Sequence, residues 1–188
     1  MSKKASHRAA IRALLVGCAI ANIAGCGQSA SDPEVDTAPQ SAEPPVSLLV
    51  TGVEGYHETL ARHRGKVVLV DFWATWCAPC IEQFPHTVAL ERKHRDRGLA
   101  VVSVSLNEPV DLPQVQDFLA RHEAHFDNLL SNYNGAVKAI QAFDLPGPVP
   151  CYRVYDRSGV LRHEYVVDPR AVRQFTPEDI EAAVLELL

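Results

Sequence analysis

The sequence predicts an α/β domain over residues 47–188, and three observations support this class. Apolar runs with the length of buried strands alternate with segments whose apolar residues recur at helical spacing. The strongest apolar run begins at Lys66 and leads directly into two cysteines that stand two residues apart. A segment of roughly 140 residues is also the right size for one domain with one hydrophobic core.

The expected order is strand, helix, strand, helix, strand, helix, short strand, short helix, two strands and a closing helix. The expected strands are 47–51, the run from Lys66, 99–106, 126–130, 149–156 and 160–167. The expected helices are 53–64, the segment after Cys80, 112–122, 134–142 and 177–188. The turn Asp156-Arg157-Ser158-Gly159 favours a hairpin between the last two strands. Thr176 followed by Pro177 is typical of the start of a helix.

The two cysteines, Cys77 and Cys80, are predicted to lie at a helix N-terminus, because Ile81 and Phe84 continue at near-helical spacing. Unpaired backbone N–H groups and the helix dipole favour a thiolate there. We expect Cys77 to be the nucleophile and the more exposed sulfur, and Cys80 to face the core as the resolving thiol. Pro79 suits the first helical turn, where a missing N–H is harmless.

The segment Trp76-Cys77-Ala78-Pro79-Cys80, preceded by Val-Asp-Phe-Trp-Ala and followed by Pro85, resembles the active site of thioredoxin-fold proteins. The resemblance is closer to the membrane-anchored TlpA-like and ResA-like thiol-disulfide oxidoreductases, and it covers residues 47–188. It implies a thioredoxin-like fold, with a central mixed β-sheet flanked by helices and a TlpA-type insertion over 112–142. It also implies supporting or substrate-binding roles for Trp76 and Pro79.

Asp71 stands inside the apolar run, where an unpaired carboxylate is costly to bury. In thioredoxin the aspartate at the matching position lies beneath the dithiol and handles the proton of the buried cysteine, and the resemblance implies this catalytic role for Asp71. Desolvation is expected to raise its pKa. The alternative is a hydrogen-bonded structural aspartate, and many TlpA-like proteins carry asparagine there.

Pro150 matches the cis-proline that faces the Cys-x-x-Cys pair in thioredoxin folds and presents backbone groups to the substrate. The segment Gly147-Pro148-Val149-Pro150 is one residue longer than the usual Gly-x-Pro, so Pro148 is an alternative. The strand that starts directly at Cys151 favours Pro150. Cys151 is itself a candidate third thiol that forms a mixed disulfide or tunes Cys77; the alternative is a small buried residue.

The N-terminal segment 1–25 predicts a lipoprotein signal peptide, because basic residues precede an apolar stretch too short to span a membrane comfortably. It ends in Ile23-Ala24-Gly25-Cys26, which resembles a bacterial lipobox and predicts lipidation of Cys26. An ordinary secretory peptide with an incidental cysteine is the alternative. Residues 26–46 then form the lipidated cysteine and a flexible linker rich in serine, alanine, proline and acid.

The net charge and the number of cysteines further restrict the possible partners and functions. Loss of residues 1–25 removes four positive charges and takes the net charge from −5 to −9, which argues against nucleic acid as a partner. The lipid is then expected to hold the protein at a bacterial membrane, facing the periplasm or extracytoplasmic side. No structural disulfide framework is present, which favours a working dithiol in an exported protein.

The predicted function is that of an extracytoplasmic thiol-disulfide oxidoreductase that reduces protein disulfides. The resemblance implies disulfide-bonded protein substrates and a membrane electron-donor protein, with cytochrome c maturation as the best-known setting. No phosphate loop or dinucleotide fingerprint is present, so no cofactor is predicted. His122 and His125 lack a third ligand, so no metal site is predicted. A disulfide oxidant or isomerase is the first alternative, and a copper-binding module, disfavoured by the two-residue spacing, is the second.

Overall fold

The computed structural model describes residues 45–188, so the predicted signal peptide, Cys26 and nearly all of the predicted linker lie outside the described residues. The described strands are Leu49–Thr51 (β1), Val67–Trp73 (β2), Leu99–Ser105 (β3), Asp127–Ser131 (β4), Cys151–Tyr155 (β5) and Leu161–Val166 (β6). The described α-helices are Val53–Arg62 (α1), Ala78–His94 (α2), Leu112–Arg121 (α3), Ala136–Ala142 (α4) and Pro177–Leu187 (α5). The predicted order of strands and helices is confirmed.

The strands form one mixed sheet in the order β1-β4-β3-β2-β5-β6. Parallel pairing joins β1 to β4, β4 to β3 and β3 to β2, whereas β5 pairs antiparallel with both β2 and β6. The strand of the predicted insertion, β4, therefore lies inside the sheet between β1 and β3. The predicted hairpin is formed by β5 and β6.

Four predicted boundaries differ from the structure by two residues, at the starts of β1, α4 and β5 and at the end of α1, and local hydrogen bonds explain the first and the last. The strand β1 starts later than predicted, because Asn128 Nδ2 donates a 3.1 Å hydrogen bond to the Ser47 carbonyl. The helix α1 ends earlier than predicted. The N–H groups of His63 and Arg64 donate to carbonyls three residues back, which tightens the chain ahead of Gly65 with its φ of 91°.

The centre of the sheet is buried on both faces. Every residue of β2 and β3 is buried, as expected for parallel strands covered by helices. Trp73, at the carboxyl end of β2, packs against Phe84 of α2 and Phe118 of α3 with ring centroids 4.8 and 4.6 Å away. These contacts seat the start of α2 over the carboxyl end of β2.

The closing helix α5 begins as predicted. Thr176 and Asp179 form a capping box, in which the Asp179 carboxylate accepts a 2.8 Å hydrogen bond from the Thr176 N–H, and Pro177 occupies the first turn. Among residues 45–188, no helix combines the length and apolar character needed to cross a membrane.

Candidate active site

The two cysteines lie at the junction of β2 and α2, Cys77 in the turn and Cys80 in the first turn of the helix. Cys77 is the N-cap of α2 and is joined to Cys80 by a disulfide bond. The backbone N–H of Cys80 lies 3.3 Å from Cys77 Sγ, and Pro79 occupies the first helical turn as predicted. The described state is thus the oxidised form of a dithiol whose first sulfur faces an orphan N–H of the helix start.

Access to this disulfide is unequal. Cys77 is 6% exposed and Cys80 is 1% exposed, which is the predicted order, although both sulfurs lie close to complete burial. Trp76, directly before Cys77, is 57% exposed. An incoming sulfur therefore has its approach at Cys77, beside an aromatic side chain that the fold leaves in solvent.

The loop before β5 forms the opposite wall of the site. The Val149–Pro150 peptide bond is cis, so Pro150 rather than Pro148 is the cis residue, as predicted. The carbonyl oxygen of Val149 lies 3.6 Å from Cys77 Sγ. Cys151 pairs with Phe72 of β2, which ties this loop to the strand that leads to the dithiol. The sequence analysis did not predict that the Val149 carbonyl lies next to Cys77 Sγ.

Asp71 is buried on β2 against α2. Thr87 Oγ1 donates a 2.7 Å hydrogen bond to Asp71 Oδ2, while Oδ1 has no hydrogen-bond partner within the described part of the chain. Burial raises the pKa of this carboxyl to about 7, and the Thr87 hydrogen bond opposes that rise. Because α2 also carries Cys80, the carboxyl and the buried sulfur belong to the same strand–helix interface.

Thr87 was missed by the sequence analysis. It lies two helical turns after Cys80 on the inward side of α2, and a threonine at a buried helical position is the one signal that could have marked it. The sequence does not say which strand residue that hydroxyl faces.

Cys151 is a free cysteine with no exposed surface. Burial raises the pKa of its thiol to about 12, and the charge of Glu164 adds to the rise. A thiol in this state is protonated near neutral pH and is a poor nucleophile. These properties favour the interpretation of Cys151 as a small buried residue.

The two histidines considered as metal ligands lie at the end of α3. The His122 ring packs on Phe118 with centroids 4.4 Å apart, and burial lowers the pKa of His122. Over residues 45–188, no three histidine, cysteine, aspartate or glutamate side chains cluster in a way that would hold a metal ion.

A disulfide at the start of a helix, facing a cis-proline that precedes an antiparallel strand, defines the class of thioredoxin-fold proteins. A thioredoxin-family thiol:disulfide interchange protein from Chlorobium tepidum shares this fold, with 23% identity, a TM-score of 0.52, and coverage of 68% of this chain and 83% of that chain. A second Chlorobium tepidum protein, assigned as thiol:disulfide interchange protein DsbE, shows 27% identity, a TM-score of 0.55, and coverage of 68% and 84%.

Residues 37–174, most of the chain, match the AhpC/TSA family, and the chain belongs to that family. Thiol-disulfide oxidoreductase ResA of Geobacillus kaustophilus is 26% identical over 115 residues, which are 61% of this chain and 63% of that protein. ResA of Halalkalibacterium halodurans is 29% identical over 107 residues, 57% and 60% of the two chains. The chain thus matches somewhat less than two thirds of the length of these relatives. The ResA-like resemblance seen in the sequence is confirmed.

Proposed function

We propose that this protein is an extracytoplasmic thiol-disulfide oxidoreductase that reduces disulfides in other proteins. The observation that carries the proposal is the Cys77–Cys80 disulfide at the N-terminus of α2, with its more exposed sulfur beside the exposed Trp76. Relatives named thiol-disulfide oxidoreductase ResA support the same chemistry.

The reaction starts from the reduced dithiol. The Cys77 thiolate attacks one sulfur of a substrate disulfide, forming a mixed disulfide and releasing the other substrate sulfur as a thiolate. Cys80, once deprotonated, attacks Cys77 Sγ, re-forms the Cys77–Cys80 disulfide and releases the second substrate thiolate. The substrate disulfide has then gained two electrons, and the protein has lost two.

Asp71 is the group proposed to take the Cys80 proton. Its carboxyl shares the β2–α2 interface with Cys80, and its pKa of about 7 lets it exchange a proton near neutral pH. Cys77 needs less help, because the Cys80 N–H and the start of α2 stabilise its thiolate. Asp71 is thus proposed to accept the proton of Cys80, the sulfur that is less accessible to the substrate.

The oxidised protein must be reduced again by the dithiol of another protein, which we propose is a membrane electron donor. The proposal includes export by segment 1–25, lipidation at Cys26, a linker to residue 46 and a thioredoxin-like domain over 47–188, all supported by the sequence motifs. Cytochrome c maturation is the setting that the family resemblance supports. Incorporation of labelled palmitate into the full chain, and its loss in Cys26→Ala, tests the anchor.

The exchange reaction is tested by trapping. Cys80→Ser, incubated with a disulfide-bonded protein, is expected to accumulate a mixed disulfide through Cys77, whereas Cys77→Ser is expected to form none. The double variant Cys80→Ser/Cys151→Ser is the matched control, and it is expected to trap substrate as Cys80→Ser does, because the mechanism does not use the third sulfur. Trapping by Cys77→Ser, or none by Cys80→Ser, contradicts the assignment of the nucleophile.

The direction of the reaction is tested by the reduction potential of the dithiol, measured by equilibration with glutathione or dithiothreitol buffers. A value near roughly −270 mV, that of thioredoxin, supports a reductase. A value near roughly −120 mV overturns the reductase and identifies an oxidant with the same nucleophile.

A further inference from the structure

Asn107, directly after Leu106 at the carboxyl end of β3, is fully buried and uses all of the hydrogen-bonding capacity of its side chain. Its Oδ1 accepts hydrogen bonds from the Thr75 N–H at 2.9 Å and from Ser105 Oγ at 3.0 Å. Its Nδ2 donates to Thr75 Oγ1 at 2.8 Å and to Asp111 Oδ2 at 3.1 Å. Two of these four bonds hold one residue, Thr75.

Thr75 lies in the middle of the turn that carries the nucleophilic sulfur. The Cys77 N–H donates a 3.1 Å hydrogen bond to the Ala74 carbonyl, so residues 74–77 form one tight turn. Asn107 binds both the backbone N–H and the hydroxyl of Thr75, which fixes that turn from the side of β3. The backbone adds a further link, in which the Leu106 N–H donates a 2.8 Å bond to the Trp73 carbonyl.

The same side chain ties the turn to the connection between β3 and α3. Asp111, which accepts from Asn107, ends the 3₁₀ turn Pro109–Asp111 and also accepts a 3.3 Å bond from the Glu108 N–H. Asn107 thus joins the segments that follow two neighbouring parallel strands, at the sheet edge where the dithiol lies. Because a buried amide without hydrogen-bond partners is unfavourable, turn conformations that break these bonds are disfavoured.

We infer that Asn107 is a positioning residue for the dithiol. By fixing Thr75 it keeps Cys77 at the N-cap of α2, where the Cys80 N–H reaches its sulfur and where the Val149 carbonyl faces it. This inference rests on the proposed function, because it gives Asn107 a part in setting the reactivity of Cys77. Asn107 itself touches neither sulfur in any hydrogen bond described above.

The inference predicts the direction in which the pKa of the Cys77 thiol and the reduction potential change. If the turn loosens, the Cys77 thiolate loses the Cys80 N–H and the start of α2, and the pKa of the Cys77 thiol rises. When the pKa of a thiol already lies above the ambient pH, a rise of one unit lowers its thiolate fraction about tenfold. The reduced state loses stabilisation, so the reduction potential becomes more negative.

The test compares Asn107→Ala with Asn128→Ala, a matched control. Asn128 is also buried and also makes four side-chain hydrogen bonds: its Oδ1 accepts from Ser103 Oγ at 2.7 Å, and its Nδ2 donates to the Ala124 and Phe126 carbonyls at 2.8 Å and to the Ser47 carbonyl at 3.1 Å. These contacts lie around β4 and do not include the turn 74–77. Both variants are expected to unfold more easily, which is the structural effect common to the two.

The deciding readouts are the pKa of the Cys77 thiol, from the ultraviolet absorbance of its thiolate, and the reduction potential. Asn107→Ala is expected to raise that pKa, to lower the rate of attack on a small disulfide about threefold at neutral pH because the more basic thiolate is also more nucleophilic, and to make the potential more negative. Asn128→Ala is expected to leave all three values unchanged. A folded Asn107→Ala with wild-type pKa and potential, or equal shifts in both variants, overturns the inference.

A milder variant covers the case in which Asn107→Ala does not fold. Thr75→Val keeps the backbone N–H but removes the Oγ1 acceptor, so it weakens the same link from the other side. It is expected to shift the pKa and the potential in the same direction by a smaller amount, and an unchanged pKa contradicts the inference. These readouts need no protein substrate, so their failure is distinct from failure of the Cys80→Ser trap.

Discussion

Thr87 Oγ1 donates a 2.7 Å hydrogen bond to Asp71 Oδ2, and both side chains are buried between β2 and α2. The bond favours the charged carboxylate, whereas the surrounding apolar side chains favour the neutral acid. The second effect is the larger one, and the pKa of Asp71 stands at about 7 instead of 3.8. Titration of this one carboxyl near neutral pH has consequences for stability and for reactivity.

Asp71→Asn is expected to change how the stability of the oxidised protein depends on pH. The folded state holds a proton that the unfolded chain releases above pH 3.8, so wild-type stability falls from about pH 4 to about pH 7 and levels off above that. The loss amounts to roughly 4 kcal/mol. The stability of the asparagine variant should not fall over this pH range, and the variant should be more stable than wild type at pH 8. Urea unfolding from pH 5 to 8 measures it, and parallel profiles would refute the expectation.

Thr87→Val is expected to raise the pKa of Asp71 above about 7, because it removes the hydrogen bond that favours the charged form. A carboxyl NMR titration of Asp71 measures the shift, and the variant should lose about 1–2 kcal/mol of stability. The control is Thr59→Val, whose buried hydroxyl donates 2.7 Å to the Gly55 carbonyl on α1. If both variants move the Asp71 titration equally, the link between Thr87 and Asp71 is not specific.

Trp76→Ala is expected to change reactivity far more than stability. The side chain is mostly exposed beside Cys77, so its removal should alter the free energy of unfolding by no more than about 0.5 kcal/mol. Reduction of a disulfide-bonded protein should slow about fivefold or more, because exposed aromatic side chains commonly anchor partners. Glutathione disulfide should be affected less. Val172→Ala, at a fully exposed position outside the dithiol segment, serves as control.

Cys151→Ser is expected to leave the reduction potential and the turnover at their wild-type values, since the Cys151 thiol is buried and its pKa is raised to about 12. The variant should lose about 1–3 kcal/mol of stability, because the new hydroxyl is buried without an assigned partner. Redox titration measures the reduction potential, and an activity assay measures the turnover. A shifted potential would restore the alternative in which this third thiol tunes Cys77.

Much of this protein could be predicted from local sequence. The apolar run over 67–73 has the length of a buried strand, and near-helical spacing after Cys80 marks the start of α2, so the relative placement of Cys77 and Cys80 follows from neighbouring residues alone. The burial of Asp71 follows for the same reason, since its neighbours along the strand are apolar. Short-range periodicity encodes which residues turn inward.

Only the tertiary structure decided which groups those inward residues meet. Thr87 lies 16 residues from Asp71, Asn107 lies 32 from Thr75, and the Val149 carbonyl lies 72 from Cys77. Each pair depends on how a helix or loop packs over the sheet. The hydroxyl of a threonine or the amide of an asparagine can form hydrogen bonds with many different partners, so the sequence alone does not identify the partner. The position of the dithiol could therefore be predicted from the sequence, whereas the contacts proposed to set its reactivity depend on tertiary packing.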